Sequence, residues 1–417
     1  MNHRPLFLGR PVRLFLYLAA AFATGMFVEK AGYLLTPYAY TPPGLGKTFA
    51  PFWETWALVK QHYVDRKAIN AHHMTQGAIT GMLASLGDFG HTTYLTHEEL
   101  EQMKGGLAGQ FEGIGARLGI RKRQPIVVYT FPGSPARAAG LRRGDVLLEV
   151  NGRSVAGLPV ERIAALVRGP AGGVVHLRIA REGTAGPLDL NITRGKVDVP
   201  DVSWHVLPAV PIAHVAIENF GEKAHAQLLA ALEHSQAQGV RALIVDVRGN
   251  PGGLKDQAVA VTSEFLKGGN VFMEQDSEGA RTEIPVEPGG HATDIPIVVL
   301  IDEGTASSAE IFAGAIQDHH RGKLVGARTF GTGTVLQPFG LSDGSAVLLA
   351  VTEWLTPNGR QIWHKGISPD VEVALPEGAS ILLPETEGDL DAASLAKSDD
   401  AQLLKALDLL KKQIQED

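Results

Sequence analysis

The 417-residue chain has no cysteine, which excludes structural disulfides, thiol nucleophiles and Cys-ligated zinc together. It also has no H-E-x-x-H pattern, and the pairs His72-His73 and His319-His320 lack the helical spacing of a zinc site. No metal and no organic cofactor is implied. Charge of one sign is sparse: the net value is −7 and no long basic stripe occurs, so nucleic acid is not expected as a partner. What remains is 44% hydrophobic residues with 48 glycines and 24 prolines, the profile of a globular chain rich in turns. At this length two or three cores are expected rather than one.

The N-terminus points to export. Arg4, Arg10 and Arg13 precede an apolar run from Leu14 to Val28, a basic region followed by a hydrophobic one. The run is short for a span of about 20 residues, and Ala21-Phe22-Ala23 resembles a small-residue cleavage site. Residues 1–36 are therefore expected to be either a cleaved signal peptide or a membrane anchor. The expected location is the cell envelope, membrane-anchored or periplasmic (extracytoplasmic).

Periodicity divides the rest. Residues 37–105 read as a helical segment, with Trp53, Trp56, Val59, Ile79, Met82 and Leu83 in helical spacing. It is broken by a Leu86-Gly87-Asp88-Phe89-Gly90-His91 loop, after which Thr96 caps a further helix with an acidic first turn. Residues 106–196 are strand-rich, residues 197–377 alternate strand and helix in the manner of an α/β core, and the tail 378–417 ends in an amphipathic helix with Leu403, Leu407, Leu410 and Ile414 on one face.

Within the strand-rich module, Phe111-Glu112-Gly113-Ile114-Gly115 is followed by Gly133-Ser134-Pro135-Ala136, Ala139-Gly140-Leu141-Arg142-Arg143-Gly144-Asp145 and Leu147-Leu148-Glu149-Val150-Asn151-Gly152. In this order the segments resemble a PDZ domain of the bacterial protease-associated kind. The resemblance implies that Gly113, Ile114 and Gly115 form the loop that captures a peptide's terminal carboxylate, while an open strand edge takes up the peptide. Polypeptide tails are thus the expected partners; the alternative is glycines that only make a tight turn.

Two segments carry the chemistry. Asp246-Val247-Arg248-Gly249-Asn250-Pro251-Gly252-Gly253 is a buried strand breaking into a glycine turn and a helix, a place where backbone N–H groups meet developing negative charge. A phosphate cradle is disfavoured because the lysine followed by Ser or Thr is missing. Asp302 to Asp318 likewise joins a strand to a helix and sets Ser307 at the turn. Taken alone, a serine there is either an N-cap or an exposed nucleophile.

Family resemblance decides between these. The Asn-Pro-Gly-Gly turn, Gly304-Thr305-Ala306-Ser307-Ser308-Ala309-Glu310-Ile311, Thr329-Phe330-Gly331-Thr332-Gly333, Leu341-Ser342-Asp343-Gly344-Ser345, Leu355-Thr356-Pro357-Asn358-Gly359 and Gly366-Ile367-Ser368-Pro369-Asp370 occur in order after the PDZ-like module. Together they are similar to the C-terminal processing (tail-specific) serine peptidases, from about residue 50 to 375. The resemblance implies a multi-domain α/β fold, with a crotonase-like peptidase core, an inserted PDZ domain and an N-terminal helical segment. It implies Ser307 as nucleophile and an oxyanion hole from Gly252 or Gly253 with the amide of Ser308.

One position departs from the family. The usual catalytic lysine lies 25 residues beyond the serine, and here that residue is Thr332, which cannot act as a base near neutral pH. Histidine is the natural substitute. His91 matches the histidine that serves as base in the tricorn-type branch and is the first choice, with Asp88 or Glu353 to orient it. His364 and Lys365 are the second and third choices for the base. The alternative function is a catalytically inactive peptide- or ligand-binding protein on the same scaffold, or an envelope adaptor that works through its PDZ module.

Overall fold

The computed structural model describes residues 44–88, 91–121, 124–376, 379 and 381–416. The run from Leu14 to Val28, and with it the expected signal or anchor, lies outside them. Among the described residues no helix is long and apolar enough to cross a membrane. The membrane expected as a partner through the N-terminal segment is therefore withdrawn.

The described residues fall into two units divided between Ala78 and Ile79. In the first, the helix Gly46–His62 buries none of its residues, and Trp53 and Leu58 on its apolar positions stay exposed. In the second, the helix His97–Leu107 begins at a reciprocal cap, with Glu99 N–H donating to Thr96 Oγ1 at 3.2 Å and Thr96 N–H to Glu99 Oε2 at 2.8 Å.

The strand-rich module is a sheet with strand order Ala116–Arg121, Gln124–Thr130, Val146–Val150, Val174–Ala180, Leu188–Thr193. Alternation drives it: Val175, Leu177 and Ile179 point inward and are fully buried, against Leu147, Val150 and Ile163. The strand Ala116–Arg121 stands at the sheet's edge, and the helix Val160–Val167 faces it across an open groove.

The α/β core is a six-stranded sheet in the order Val202–Val206, Ile212–Ile217, Ala242–Asp246, Ile297–Ile301, Lys323–Gly326, Val371–Glu372; all neighbours after the first pair are parallel. Its three central strands are buried at every position, as near-continuous aliphatic runs must be when both faces are covered. On one face lie the helices Ala224–Ala237, Lys255–Ser263 and Ser308–Asp318, where Phe312 packs against Phe220 and Phe265. On the other lies Ala401–Glu416, whose Leu403, Ala406 and Leu410 are fully buried against Ile244, Val298 and Leu300. Because Ala242–Asp246 and Ile297–Ile301 are adjacent and parallel, the turns at their C-terminal ends emerge side by side, where open parallel sheets place their sites.

A second sheet packs on the helices that follow these turns, Phe272 and Trp354 lying in one cluster with Val259 and Ile311. The strand Thr93–Leu95 pairs antiparallel with the start of Ala346–Leu355, Thr93 opposite Leu348, and the latter strand also pairs with Thr334–Gly340 and Asn270–Gln275. The strand-rich module is thus inserted between residues that belong to one sheet.

The core sheet also holds charge. His214, fully buried, places Nδ1 2.7 Å from Glu387 Oε1 and Nε2 3.2 Å from Asp246 Oδ2. Burial alone pulls its pKa down, but the charge of Glu387 and the hydrogen bonds to both carboxylates overcome this and push it from 6.5 up to about 10. Burial pushes Asp246 up, but the Arg248 guanidinium, followed by the His214 contact, holds its carboxyl well below the usual carboxylate range.

Two outcomes are expected. Phe312→Ala should lower unfolding free energy by about 3–5 kcal/mol in a denaturant titration, since a fully buried ring is removed from between two others. Because the folded pKa of His214 lies above its unfolded value, its stabilisation is complete below pH 6.5 and is lost as pH rises towards about 10. The melting temperature should therefore fall across that range, and His214→Gln should start lower and show a flatter slope.

Candidate active site

The two turns lock to each other through the backbone. Asn250, fully buried, donates Nδ2 to Ile217 O at 2.6 Å and accepts the Gly252 N–H on Oδ1 at 2.8 Å, while its carbonyl receives the Ala306 N–H at 2.9 Å. Asp302 Oδ1 accepts the Gly249 N–H at 2.8 Å, and the Thr305 hydroxyl donates to Val247 O at 2.8 Å. Burial and the neighbouring charge of Asp246 raise the pKa of Asp302, against the N–H bonds it accepts.

Ser307 occupies the position between strand and helix with φ 54° and ψ −120°. A non-glycine residue there is strained by about 1–3 kcal/mol. The Glu310 N–H donates to the Ser307 carbonyl oxygen at 2.8 Å, a backbone bond. The helix start is satisfied from the other direction: Glu310, fully buried, accepts the Ser307 N–H on Oε2 at 3.0 Å. The same carboxylate accepts from Thr332 N–H at 2.8 Å, Thr332 Oγ1 at 2.7 Å, Gly331 N–H at 2.8 Å and Thr329 Oγ1 at 2.5 Å. Thr332 Oγ1 in turn accepts the Ser307 N–H at 2.5 Å. Glu310 was not singled out from sequence, although Ser-x-x-Glu is capping-box spacing that marks such a residue.

Gly252 and Gly253 play unequal parts. The Gly252 N–H is already spent on Asn250 Oδ1, which removes it as an oxyanion donor. Its importance is steric: at φ 103°, a Cβ on Gly252 would lie 2.6 Å from Ser307 Cβ and 3.0 Å from Oγ. Among the described residues, the N–H groups of Gly253 and Ser308 have no hydrogen-bond acceptor. Ser308, fully buried, ties the two sides together by donating Oγ to Gly253 O at 3.0 Å.

His91 is 6% exposed and its Nδ1 lies 3.0 Å from Asp88 Oδ1, while Asp88 Oδ2 accepts the Thr92 N–H at 3.1 Å. Burial raises the Asp88 pKa, but the bonds from Thr92 and His91 outweigh this and leave it below the ordinary value. Nε2 of His91 is buried with no hydrogen-bond partner among the described residues. The ring meets Phe330 edge-on at 6.0 Å between centroids, and the Phe330 N–H donates to Thr305 O at 3.0 Å, two residues before Ser307. His91 and Ser307 are not hydrogen-bonded in this conformation. Of the two carboxylates weighed for orienting His91, Asp88 makes the contact; Glu353 sits opposite Thr334 in the second sheet with Oε1 buried and unpartnered. His364 and Lys365 are exposed on a depression shared with Arg328 and Arg360, and His364 stacks on Trp363.

The groove beside Ala116–Arg121 has a volume of about 570 Å³ and is lined by Ile114, Gly115, Leu118, Val160 and Val167 among others. Gly115, at φ 74°, cannot carry a side chain because a Cβ would fall 2.4 Å from Ser134 Cβ. Gly113, expected beside them, does not line the groove; it pairs with Gly195 in a separate two-stranded ladder.

Comparison with known proteins agrees with this architecture. Residues 211–373 match the model of peptidase family S41, and residues 126–181 match a PDZ domain. The chain is 36% identical over 343 residues to the carboxy-terminal processing protease CtpA of Bacillus subtilis, covering 80% of this chain and 72% of that protein. A CtpA-like serine protease of Staphylococcus epidermidis is 34% identical, over 79% of this chain and 66% of its own length. A solved photosystem II D1 C-terminal processing protease superimposes with a TM-score of 0.50 at 30% identity, covering 78% of this chain and 93% of that one. An S41 protease of Bacteroides fragilis, 17% identical with a TM-score of 0.58, covers 85% of this chain and 96% of its own and shares the fold. With this likeness running through the α/β core and the inserted PDZ domain, the chain belongs to peptidase family S41 as a PDZ-bearing serine peptidase.

Proposed function

We propose that this protein is an extracytoplasmic endopeptidase of the C-terminal processing type that hydrolyses polypeptides whose tails lie in the PDZ groove, with Ser307 as nucleophile and His91 as base. The observation that carries the base assignment is the buried Asp88–His91 pair. One ring nitrogen is fixed by a carboxylate and the other is left without a partner, in a chain whose customary lysine position is Thr332. A carboxylate on Nδ1 selects the tautomer whose Nε2 accepts a proton, the arrangement of an Asp-His-Ser triad. The crotonase-like character of the core, the export of the chain on its basic-then-apolar N-terminus and the boundaries 37–105, 106–196, 197–377 and 378–417 belong to the same proposal.

In the reaction, Ser307 Oγ attacks the scissile carbonyl carbon as His91 Nε2 takes the hydroxyl proton. The oxyanion is met by the N–H groups of Gly253 and Ser308. Collapse of the tetrahedral adduct breaks the C–N bond, and the proton passes from His91 to the leaving amine. Water, deprotonated by the same imidazole, then hydrolyses the acyl-serine ester. Since His91 and Ser307 are not joined by a hydrogen bond here, a side-chain rotation or a movement of the His91 loop must precede proton transfer, as resting sites commonly require. Ile114 and Gly115 are the proposed contacts of the substrate's terminal carboxylate, and the open edge of Ala116–Arg121 receives its backbone.

Ser307→Ala should abolish peptide hydrolysis and fluorophosphonate labelling while leaving tail-peptide binding intact. His91→Ala should lower kcat at least about 10²-fold, the usual cost of losing a general base. A His91→Ala protein with kcat within a few-fold of the parent refutes the base assignment. A parent protein that binds peptide but is never labelled at Ser307 is instead the inactive scaffold.

A further inference from the structure

The turn that presents Gly253 is braced from a part of the chain more than a hundred residues away. Arg248 lies two residues beyond the end of its strand, Asp246, and four before Gly252, and its side chain is 1% exposed. Nε and Nη2 donate to Asp246 at 3.0 and 2.7 Å, Nη2 and Nη1 to Asp400 at 3.0 and 2.8 Å, and Nη1 to Gln402 Oε1 at 3.1 Å. All five N–H donors of the guanidinium are thereby used. Asp400 is itself fixed, accepting the N–H groups of Leu382 and Leu403 at 3.0 Å each, and Gln402 donates to Val373 O at 2.9 Å. On the other side of Asp246, His214 links it to Glu387. Residues 382–402 therefore reach the strand end and the turn through two separate charged chains.

Stability alone accounts poorly for this arrangement. Three carboxylates, a guanidinium and an imidazole are taken out of water beside an aliphatic core, a cost that packed apolar side chains would avoid. What such a cluster supplies is fixed geometry, because a bidentate guanidinium tolerates few orientations. The geometry at stake is that of the oxyanion turn: Asn250 and Asp302 hold it from within, and Arg248 is its contact with the tail.

We propose that Asp400 and Gln402, acting through Arg248, are positioning residues for the oxyanion hole, so that the segment 382–402 is a working part of the active site and not only a cover for the sheet. The proposal rests on the peptidase reading above. Asp400 touches neither substrate nor nucleophile, and its effect is on where the Gly253 N–H points.

The test compares the full-length parent with Asp400→Asn, measuring kcat, KM, inhibition by a peptidyl aldehyde that forms a tetrahedral adduct, binding of a fluorescent tail peptide and the melting temperature. Displacing an oxyanion donor should lower kcat at least about tenfold and weaken the aldehyde by a similar factor, with KM and tail-peptide binding within about twofold. A folded Asp400→Asn protein whose kcat stays within about twofold of the parent overturns the proposal, whatever its melting temperature. Should that variant not fold, Gln402→Met, which removes one acceptor of Arg248 at constant charge, is expected to lose about threefold in kcat with the same unchanged KM; an unchanged kcat there overturns it equally. A parent protein that neither cleaves peptide nor labels at Ser307 removes the peptidase reading itself, a result distinguishable because it precedes any variant.

Discussion

One buried carboxylate, that of Glu310, holds the turn at Ser307 in place. Glu310 accepts five hydrogen bonds, from the Ser307 N–H, the Gly331 and Thr332 N–H groups and the hydroxyls of Thr329 and Thr332. Bonds to a charged acceptor contribute about 1.5–3 kcal/mol each, enough together to offset the backbone strain at Ser307. They also fasten the strand-to-helix turn to the 329–332 segment, which carries Phe330 against the His91 ring. Thr332 is part of this fastening: its hydroxyl gives a proton to Glu310 and receives one from the Ser307 amide. A residue that cannot act as a base is thus part of the frame around Ser307.

The glycine turn answers a different constraint, close approach. With Ser307 Cβ where a Gly252 side chain would stand, the two turns interlock without side chains between them. This leaves the Gly253 and Ser308 N–H groups beside Ser307, where the proposed oxyanion would form. Preorganised dipoles of that kind need no rearrangement as charge develops, provided the turn is stiff. Stiffness comes from Asn250 and Asp302 on the inside and from the Arg248 cluster on the outside.

Much of the layout was legible in the sequence because it follows from patterning. The runs 212–217, 242–247 and 297–301 read as strands, the second as a buried one; the strands Ile212–Ile217, Ala242–Asp246 and Ile297–Ile301 are buried at every position. The face carrying Leu403, Leu407 and Leu410 read as a docking helix and packs beneath the sheet. The Ser307 turn was legible because strand, Gly-Thr-Ala-Ser and helix follow one another directly. Other features were not. Which glycine N–H remains open depends on where Asn250 Oδ1 points, and the choice of Asp88 over Glu353 depends on tertiary contact. The bond of Asp400 to Arg248 spans 152 residues, a separation at which local pattern carries no signal. Gly113 was placed one residue too far into the carboxylate loop because a run of Gly-Ile-Gly does not mark where the ladder ends.

The pairing of Thr93–Leu95 with Ala346–Leu348 joins ends of the chain that are made far apart in time. His91 sits two residues ahead of the earlier strand, and no partner exists for that strand until some 250 residues later have been added, the kind of distant closure that forms late. A chain still on the ribosome or threading through a translocation pore therefore lacks the assembled cleft. Completion of the cleft is thereby tied to completion of the sheet that holds both segments.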